Sequence, residues 1–397
     1  MLCRNLLSQE KTKDGRIRVV ILGSTGSIGE SALELCRRFP QIFEVLAISA
    51  HKNVDKLSAQ CREFHPRFAV LTDASKRKSA DIPSGTTFLC GSGALCEIAA
   101  LDDTDVVLAA IVGIACLEAV LAALHAKKRV ALANKESVVC GGALLDSALD
   151  KGGIIVPVDS EHSSLFNCLR GLRNDDVSRL VLTASGGPFL NTPIEKLSSI
   201  SPAEAVRHPR WNMGAKISVD SATMMNKALE IIEAYWLYGI PSIEVIVHPE
   251  SIVHSLVGLK DGSMIAHMSQ PDMKLPIAFG LLYPRTRLSE VIKPLSLAEL
   301  AKLSFFELDN KRFPAVNLAY DCLKSGGSSS AVLSIANEIA VEAFLAERIR
   351  FTDIISVNKE FLESFRYSAC GSLNDLRLLV KEMKNKAQDF LEPFLKN

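Results

Sequence analysis

Apolar residues in the first part of the chain gather into short runs with helical stretches between them. The runs at residues 19–22, 43–49, 68–71, 86–89, 105–110, 129–133 and 154–158 predict seven strands. Strands that alternate with helices in this way predict a doubly wound, Rossmann-like parallel sheet. After Asp159 the regular alternation gives way to loops with polar motifs, which places a domain boundary near residues 155–160. Further strands are predicted at 180–184 and 243–248. A hairpin follows, 253–259 with 263–268, across the turn Lys260-Asp261-Gly262, and together these supply a second, mixed sheet. Residues 221–238 contain no proline or glycine and predict one helix, and 271–282 predicts another. From Pro284 to Pro314 prolines punctuate a long connection; beyond it, apolar spacings of three and four predict helices at 314–324, 331–348 and after 353. The expected fold class is α/β, with a doubly wound domain at 1–158, an α+β domain with a mixed sheet at 159–285, a linker at 286–313 and a C-terminal helical bundle at 314–397.

At 397 residues the chain exceeds what one core usually organises. Lys and Arg total 45, as do Asp and Glu, so composition offers nothing to a nucleic acid or an acidic membrane surface, and small molecules are the expected partners. The ten cysteines are scattered without a C-x-x-C pair. That suits buried thiols in a reducing cytosol better than disulfides or a zinc site. Residues 1–15 lack the features of a targeting segment, and no apolar run reaches the roughly 20 residues of a membrane span. The expectation is a cytoplasmic protein.

Candidate chemistry lies where strands end. The first strand breaks at Gly23-Ser24-Thr25-Gly26-Ser27-Ile28-Gly29 before a helix, the order of a phosphate cradle, although the spacing is G-x-x-G-x-x-G and an ordinary strand-to-helix turn has the same order. After the second strand, where an NAD enzyme usually places an acid, stand His51-Lys52-Asn53. Lysine suits a 2′-phosphate and hence NADP; a plain loop is the alternative. Asn134-Lys135-Glu136 sits at a strand's carboxyl end, where either ligand binding or simple helix capping accounts for it. Asp159 and Glu161 are separated by one residue, which in an extended chain turns both carboxylates to one face. Asn226, Lys227 and Glu230 share one helical turn, so three carboxylates could hold a divalent metal beside a cationic anion site. Taken singly, each is also what a solvated surface charge looks like. Ser185-Gly186-Gly187 offers a hydroxyl and flexible backbone donors for phosphate or forms a turn, and His208–Gly214, with Trp211 and Met213, is either a lid over ligand or a loop packed on the core.

Five motifs, G-S-T-G-S-I-G at 23–29, A-N-K-E-S at 133–137, P-V-D-S-E-H at 157–162, H-P-R-W-N-M-G-A-K-I at 208–217 and D-S-A-T-M-M-N-K-A-L-E at 220–230, occur in an order that resembles the 1-deoxy-D-xylulose 5-phosphate reductoisomerase family over nearly the whole chain. The resemblance implies an enzyme of the non-mevalonate isoprenoid pathway. It would rearrange the sugar phosphate and reduce it with NADPH to 2-C-methyl-D-erythritol 4-phosphate, as a homodimer. It further implies NADPH contacts at Thr25, Gly26, Ser27, Ile28, Lys52, Asn53, Asn134, Glu136 and Gly214, and metal ligands at Asp159, Glu161 and Glu230. Substrate contacts are implied at Lys135, Ser160, Glu161, Ser185, His208, Ser221, Asn226, Lys227 and Glu230, with Lys135, His208 and the three metal ligands catalytic. Oxygen-only ligation favours magnesium or manganese over zinc, with cobalt a further candidate. His51 departs from the small residue the family commonly has before Lys-Asn. Two other classes share parts of the pattern: a different NADP-dependent dehydrogenase would have no need of the three carboxylates, and a non-catalytic NADP-sensing module would need neither metal nor phosphate site.

Overall fold

The computed structural model describes residues 2–3, 15–207, 214–285 and 287–396. They form two compact units, one of residues 1–137, 145–163 and 272–294, the other of 138–144, 164–271 and 295–397.

The first unit is built on a parallel sheet of β1 (Ile17–Leu22), β2 (Phe43–Ala50), β3 (Phe68–Leu71), β4 (Thr87–Cys90), β5 (Val106–Ala109), β6 (Arg129–Leu132) and β7 (Ile154–Pro157). The spatial order is β4-β3-β2-β1-β5-β6-β7. Winding therefore reverses between β1 and β5, and the crevice at their carboxyl ends is where doubly wound sheets bind ligands. A helix at Ser27–Arg38 follows β1 and buries Ala32, Leu33, Leu35 and Cys36, an apolar stripe at helical spacing. The predicted strands all form.

The helix Lys274–Leu282 belongs to this unit and not to the second domain expected for it. Arg129 Nη2 donates to Leu281 O at 3.0 Å, Lys274 Nζ meets Glu34 at 3.1 Å, and the helix touches the sheet so closely that a Cβ on Gly280 would lie 2.9 Å from Val158. The chain beyond it stays: Val291 is buried in the same core, and Arg38 Nη1 donates to its carbonyl at 3.1 Å. Part of the expected linker at 286–313 is thus core of the first unit.

The second unit holds a mixed sheet of β8 (Val177–Ala184), β9 (Ile243–Val247), β10 (Val253–Leu259), β11 (Met264–Met268) and β12 (Phe306–Glu307), in the order β11-β10-β8-β9-β12. Only β8 and β9 run parallel; the other pairings are antiparallel. β12 comes from the expected linker and pairs with β9. Helices Ala315–Ser325, Ser329–Leu345, Asp353–Ser364 and Leu373–Leu391 fold into this same unit instead of standing apart as a domain at 314–397. Phe344, Phe361 and Met383 fill the core between the last three. Among the described residues no helix is long and apolar enough to cross a membrane.

The helix expected over 221–238 is two helices, Ala215–Ala222 and Met225–Tyr238. They break at Met224, whose φ of +61° is left-handed. Thr223 makes the break: its hydroxyl lies 3.1 Å from Val219 O and 3.2 Å from Asp220 O, and accepts the Met225 N–H at 3.3 Å. A hydroxyl that satisfies backbone groups on both sides replaces helical bonds that the chain would otherwise have made.

Candidate active site

The first unit carries a dinucleotide cradle. Gly23 has φ +89°, and a Cβ there would sit 2.8 Å from Ala110 O across the switch point. At Gly29 a Cβ would lie 2.3 Å from Gly23 O, so only glycine lets the helix approach its own turn. Gly26 precedes the helix at Ser27 without a side-chain cap, leaving the first N–H groups to an incoming anion. Residues that the sequence reading missed hold the loop still. Ser49 Oγ accepts from Gly23 N at 3.0 Å; Ser24 Oγ donates to Gln60 Oε1 at 2.6 Å, and Gln60 Nε2 returns a bond to Ser24 O at 3.0 Å. Nothing in the local motif marks Ser49 or Gln60, since each acts only through its neighbour in space. Lys56, also unforeseen, donates to Thr25 O at 3.1 Å.

At the end of β2, His51, Lys52 and Asn53 are exposed. His51 Nδ1 pairs with Thr72 Oγ1 at 2.8 Å, and Asn53 caps the helix Val54–Phe64 by accepting from Lys56 N at 3.1 Å. Asn134 is buried and caps the helix Lys135–Leu149. Its Nδ2 lies 2.7 Å from Ile111 O, 3.1 Å from Gly113 O and 2.9 Å from a carboxylate oxygen of buried Glu136. Asn134 thus caps this helix, and its amide also clamps the loop after β5.

Asp159 and Glu161 do not lie on an extended chain. The strand stops at Pro157, and the helix Ser160–Leu169 starts at once, with Ser163 N donating to Asp159 O at 2.8 Å and Ser160 N to Asp159 Oδ1 at 3.0 Å. A carboxylate ahead of the helix satisfies its first donors, and this outweighs continuing the strand. Even so, oxygens of the two carboxylates approach within 4.8 Å. Lys135 Nζ is 2.6 Å from Asp159 Oδ2, and the Ser160 hydroxyl donates to Glu161. Hard oxygen donors that already attract a cation fit a divalent ion such as magnesium.

The second unit carries further polar groups. Ser185 follows β8, and Gly186 and Gly187 are both left-handed, at φ +83° and +67°. A Cβ on Gly187 would lie 2.8 Å from Ser221 O, so glycine lets this loop press against the end of the helix Ala215–Ala222. Gly187 N donates to Ser185 Oγ at 3.3 Å. At the start of the next helix, Asn226 Nδ2 donates to Glu230 Oε1 at 2.5 Å and the Lys227 ammonium to Glu230 Oε2, with Lys227 and Glu230 both buried. A buried lysine suits an anion. His208 and the expected lid up to Met213 lie outside the described residues; Gly214 is exposed at the start of the helix Ala215–Ala222.

His254 on β10 is buried and pairs with Ser269 Oγ at 2.8 Å. Burial pushes its pKa down to about 4; the charges of His248 and Lys227 act the same way, against the bond at Ser269. Between about pH 4 and about pH 6.5 the unfolded chain holds the extra proton, so stability from the neutral ring is complete above that window and lost as pH falls through it. The contribution should be about 3 kcal/mol. Urea unfolding of wild type and of His254→Gln from pH 7 to pH 4 should show the two curves converging in acid; a constant gap would refute the assignment.

A doubly wound dinucleotide fold that goes on to carry lysine-paired carboxylates defines a nicotinamide-dependent oxidoreductase. Family models described as 1-deoxy-D-xylulose 5-phosphate reductoisomerase, its C-terminal domain and a further DXP reductoisomerase C-terminal domain match residues 19–142, 155–238 and 268–386. The chain is 45% identical over 391 residues to the 1-deoxy-D-xylulose 5-phosphate reductoisomerase of Ralstonia pickettii, with 94% of this chain and 97% of that one covered. Against the enzyme of that name from Cupriavidus metallidurans it is 49% identical over 359 residues, 87% and 91% covered. Among solved structures, the Zymomonas mobilis reductoisomerase in complex with NADPH superposes with a TM-score of 0.88 at 40% identity, covering 95% and 99%. A reductoisomerase in complex with NADPH, fosmidomycin and magnesium superposes with a TM-score of 0.89 at 40% identity, covering 95% and 98%. The chain belongs to the 1-deoxy-D-xylulose 5-phosphate reductoisomerase family and is an NADPH-dependent oxidoreductase.

Proposed function

We propose that the family's reaction, rearrangement and reduction of 1-deoxy-D-xylulose 5-phosphate to 2-C-methyl-D-erythritol 4-phosphate, is carried in this chain by a metal set of Asp159, Glu161 and Glu230 and a phosphate set of Ser185, Ser221, Asn226 and Lys227. The observation that carries the reading is that a lysine ammonium already pairs with two of the three carboxylates, Lys135 with Asp159 and Lys227 with Glu230. Each of these two carboxylates already attracts positive charge. When bound, magnesium or manganese supplies Lewis-acid polarisation of the substrate's ketone and neighbouring hydroxyl, and NADPH supplies hydride.

The protein's own groups then divide the work. Lys135 keeps positive charge beside Asp159 and near developing negative charge on the substrate; Ser160 and His208 contact the sugar. Lys227 meets the phosphate, with hydroxyls from Ser185 and Ser221 and the Asn226 amide around it. Thr25, Gly26, Ser27 and Ile28 receive the pyrophosphate at the helix start, Lys52 with Asn53 takes the 2′-phosphate, and Asn134, Glu136 and Gly214 complete the cofactor site. We place the enzyme in the cytoplasm as a homodimer.

Nicotinamide absorbance in a mixture of protein, the sugar phosphate, NADPH and magnesium tests the reaction, and the same assay with NADH tests the cofactor assignment. Lys52→Glu should raise the KM for NADPH by about tenfold or more while changing that for NADH little, since the new carboxylate repels only the 2′-phosphate. Equal losses for both cofactors would make Lys52 an ordinary surface charge.

A further inference from the structure

The helix Ala215–Ala222 ends beside Ser221, yet its most deeply buried charge points elsewhere. Asp220 has a side chain only 2% exposed, and its two oxygens are both engaged. Lys216, one turn earlier, reaches Oδ2 at 2.8 Å. Asn337, from the helix Ser329–Leu345, donates from Nδ2 to Oδ1 at 2.7 Å. Asn337 Oδ1 in turn accepts from Asn358 Nδ2 of the helix Asp353–Ser364 at 3.3 Å. Asp220, Asn337 and Asn358 are all buried.

A buried carboxylate is costly unless it is paired and hydrogen-bonded, and an apolar residue would pack this core with less penalty. What the polar chain supplies is direction. Apolar contacts tolerate rotation of a helix about its axis, whereas a 2.7 Å bond to a neighbouring helix holds for only one rotation and one axial position. The next residue after Asp220 is Ser221, whose carbonyl faces Gly187 in the loop that begins at Ser185. Thr223, which breaks the helix ahead of Asn226 and Lys227, takes the Asp220 carbonyl at 3.2 Å. A rotation at Asp220 therefore moves the hydroxyl of Ser221 and the start of the helix that bears Lys227 together.

We propose that Asp220 and Asn337 are positioning residues for the substrate's phosphate, so that the C-terminal helices set the geometry of the anion site through one buried hydrogen bond. This rests on the phosphate set proposed above. Asn337→Ala removes the donor and Asn337→Ser keeps a short polar group; the exchange Asp220→Asn with Asn337→Asp restores a donor and a carboxylate with their places swapped. The KM for the sugar phosphate should rise about tenfold in Asn337→Ala and less in Asn337→Ser, the scale of one lost bond to a charged group. kcat and the dissociation constant for NADPH should stay within about twofold, because the cofactor cradle belongs to other elements. The exchange should recover most of the lost KM. Ser221→Ala is measured alongside. If it leaves the KM unchanged, the phosphate set is wrong. If it raises the KM while both Asn337 variants bind substrate as the wild type does, the phosphate set stands and the positioning link is overturned. Equal weakening of NADPH and substrate, or a lowered melting temperature with an unaltered KM, would reduce the network to general stability and also overturn it.

Discussion

Asp159→Asn should lower kcat/KM for the sugar phosphate by about a thousandfold, the scale on which removing one group that organises transition-state charge acts. Asparagine keeps the shape, and its amide oxygen can still accept the Ser160 N–H that Asp159 Oδ1 accepts at 3.0 Å, so the helix at Ser160 should still start correctly. What disappears is the charge that holds Lys135 and, in the proposed metal set, a divalent ion. NADPH affinity should be unchanged, and the magnesium concentration for half-maximal activity should rise well above that of wild type. Kinetics at graded magnesium with a direct NADPH titration decide it, and near-normal activity at ordinary magnesium would remove Asp159 from the site.

Lys227→Met should damage both stability and function, for separable reasons. Lys227 and Glu230 are both buried and form an ion pair. Removing one partner strands a buried carboxylate, and breaking a buried pair in this way costs about 3–5 kcal/mol. The double variant Lys227→Met with Glu230→Gln should recover most of that stability, since a neutral amide can stay in an apolar site. It should not recover turnover, because the proposed phosphate set has lost its cation and the proposed metal set has lost a ligand. Chemical unfolding alongside steady-state kinetics separates the two effects. A single variant as stable as wild type, with an unmoved KM, would mean that neither the pair nor the phosphate role has been correctly assigned.

Much of this molecule was legible from local pattern because the physics involved is local. Apolar runs separated by helical stretches are enough to specify β1 to β7, since each strand has to be covered on both faces. The glycines at 23 and 29 mark a turn whose tightness comes from the absence of Cβ atoms, a property of the residues themselves. The hairpin between β10 and β11 likewise follows from Asp261-Gly262: Gly262 takes φ +90°, and Asp261 Oδ1 accepts from Ser263 N at 2.9 Å.

Where the outcome depended on a distant partner, or on competition between two local choices, the pattern was insufficient. A helix with no proline or glycine still broke at Met224 because the Thr223 hydroxyl competes for backbone groups that a continuous helix would have used. Asp159 and Glu161 came within reach of each other by a helix start rather than by strand alternation, because an acid ahead of a helix satisfies donors that a strand does not expose. Residues 272–294 rejoined the first unit although their own sequence says only that they are apolar and punctuated by proline; Arg38 and Arg129, far away in the chain, hold the carbonyls of Val291 and Leu281. Sequence by itself thus determined the chemistry carried at each strand end. Tertiary structure decided which groups share a compact unit and what braces them, as with Asn337 meeting Asp220 across 117 positions, because a contact of that kind is specified by the packing of whole helices and by neither residue's neighbours along the chain.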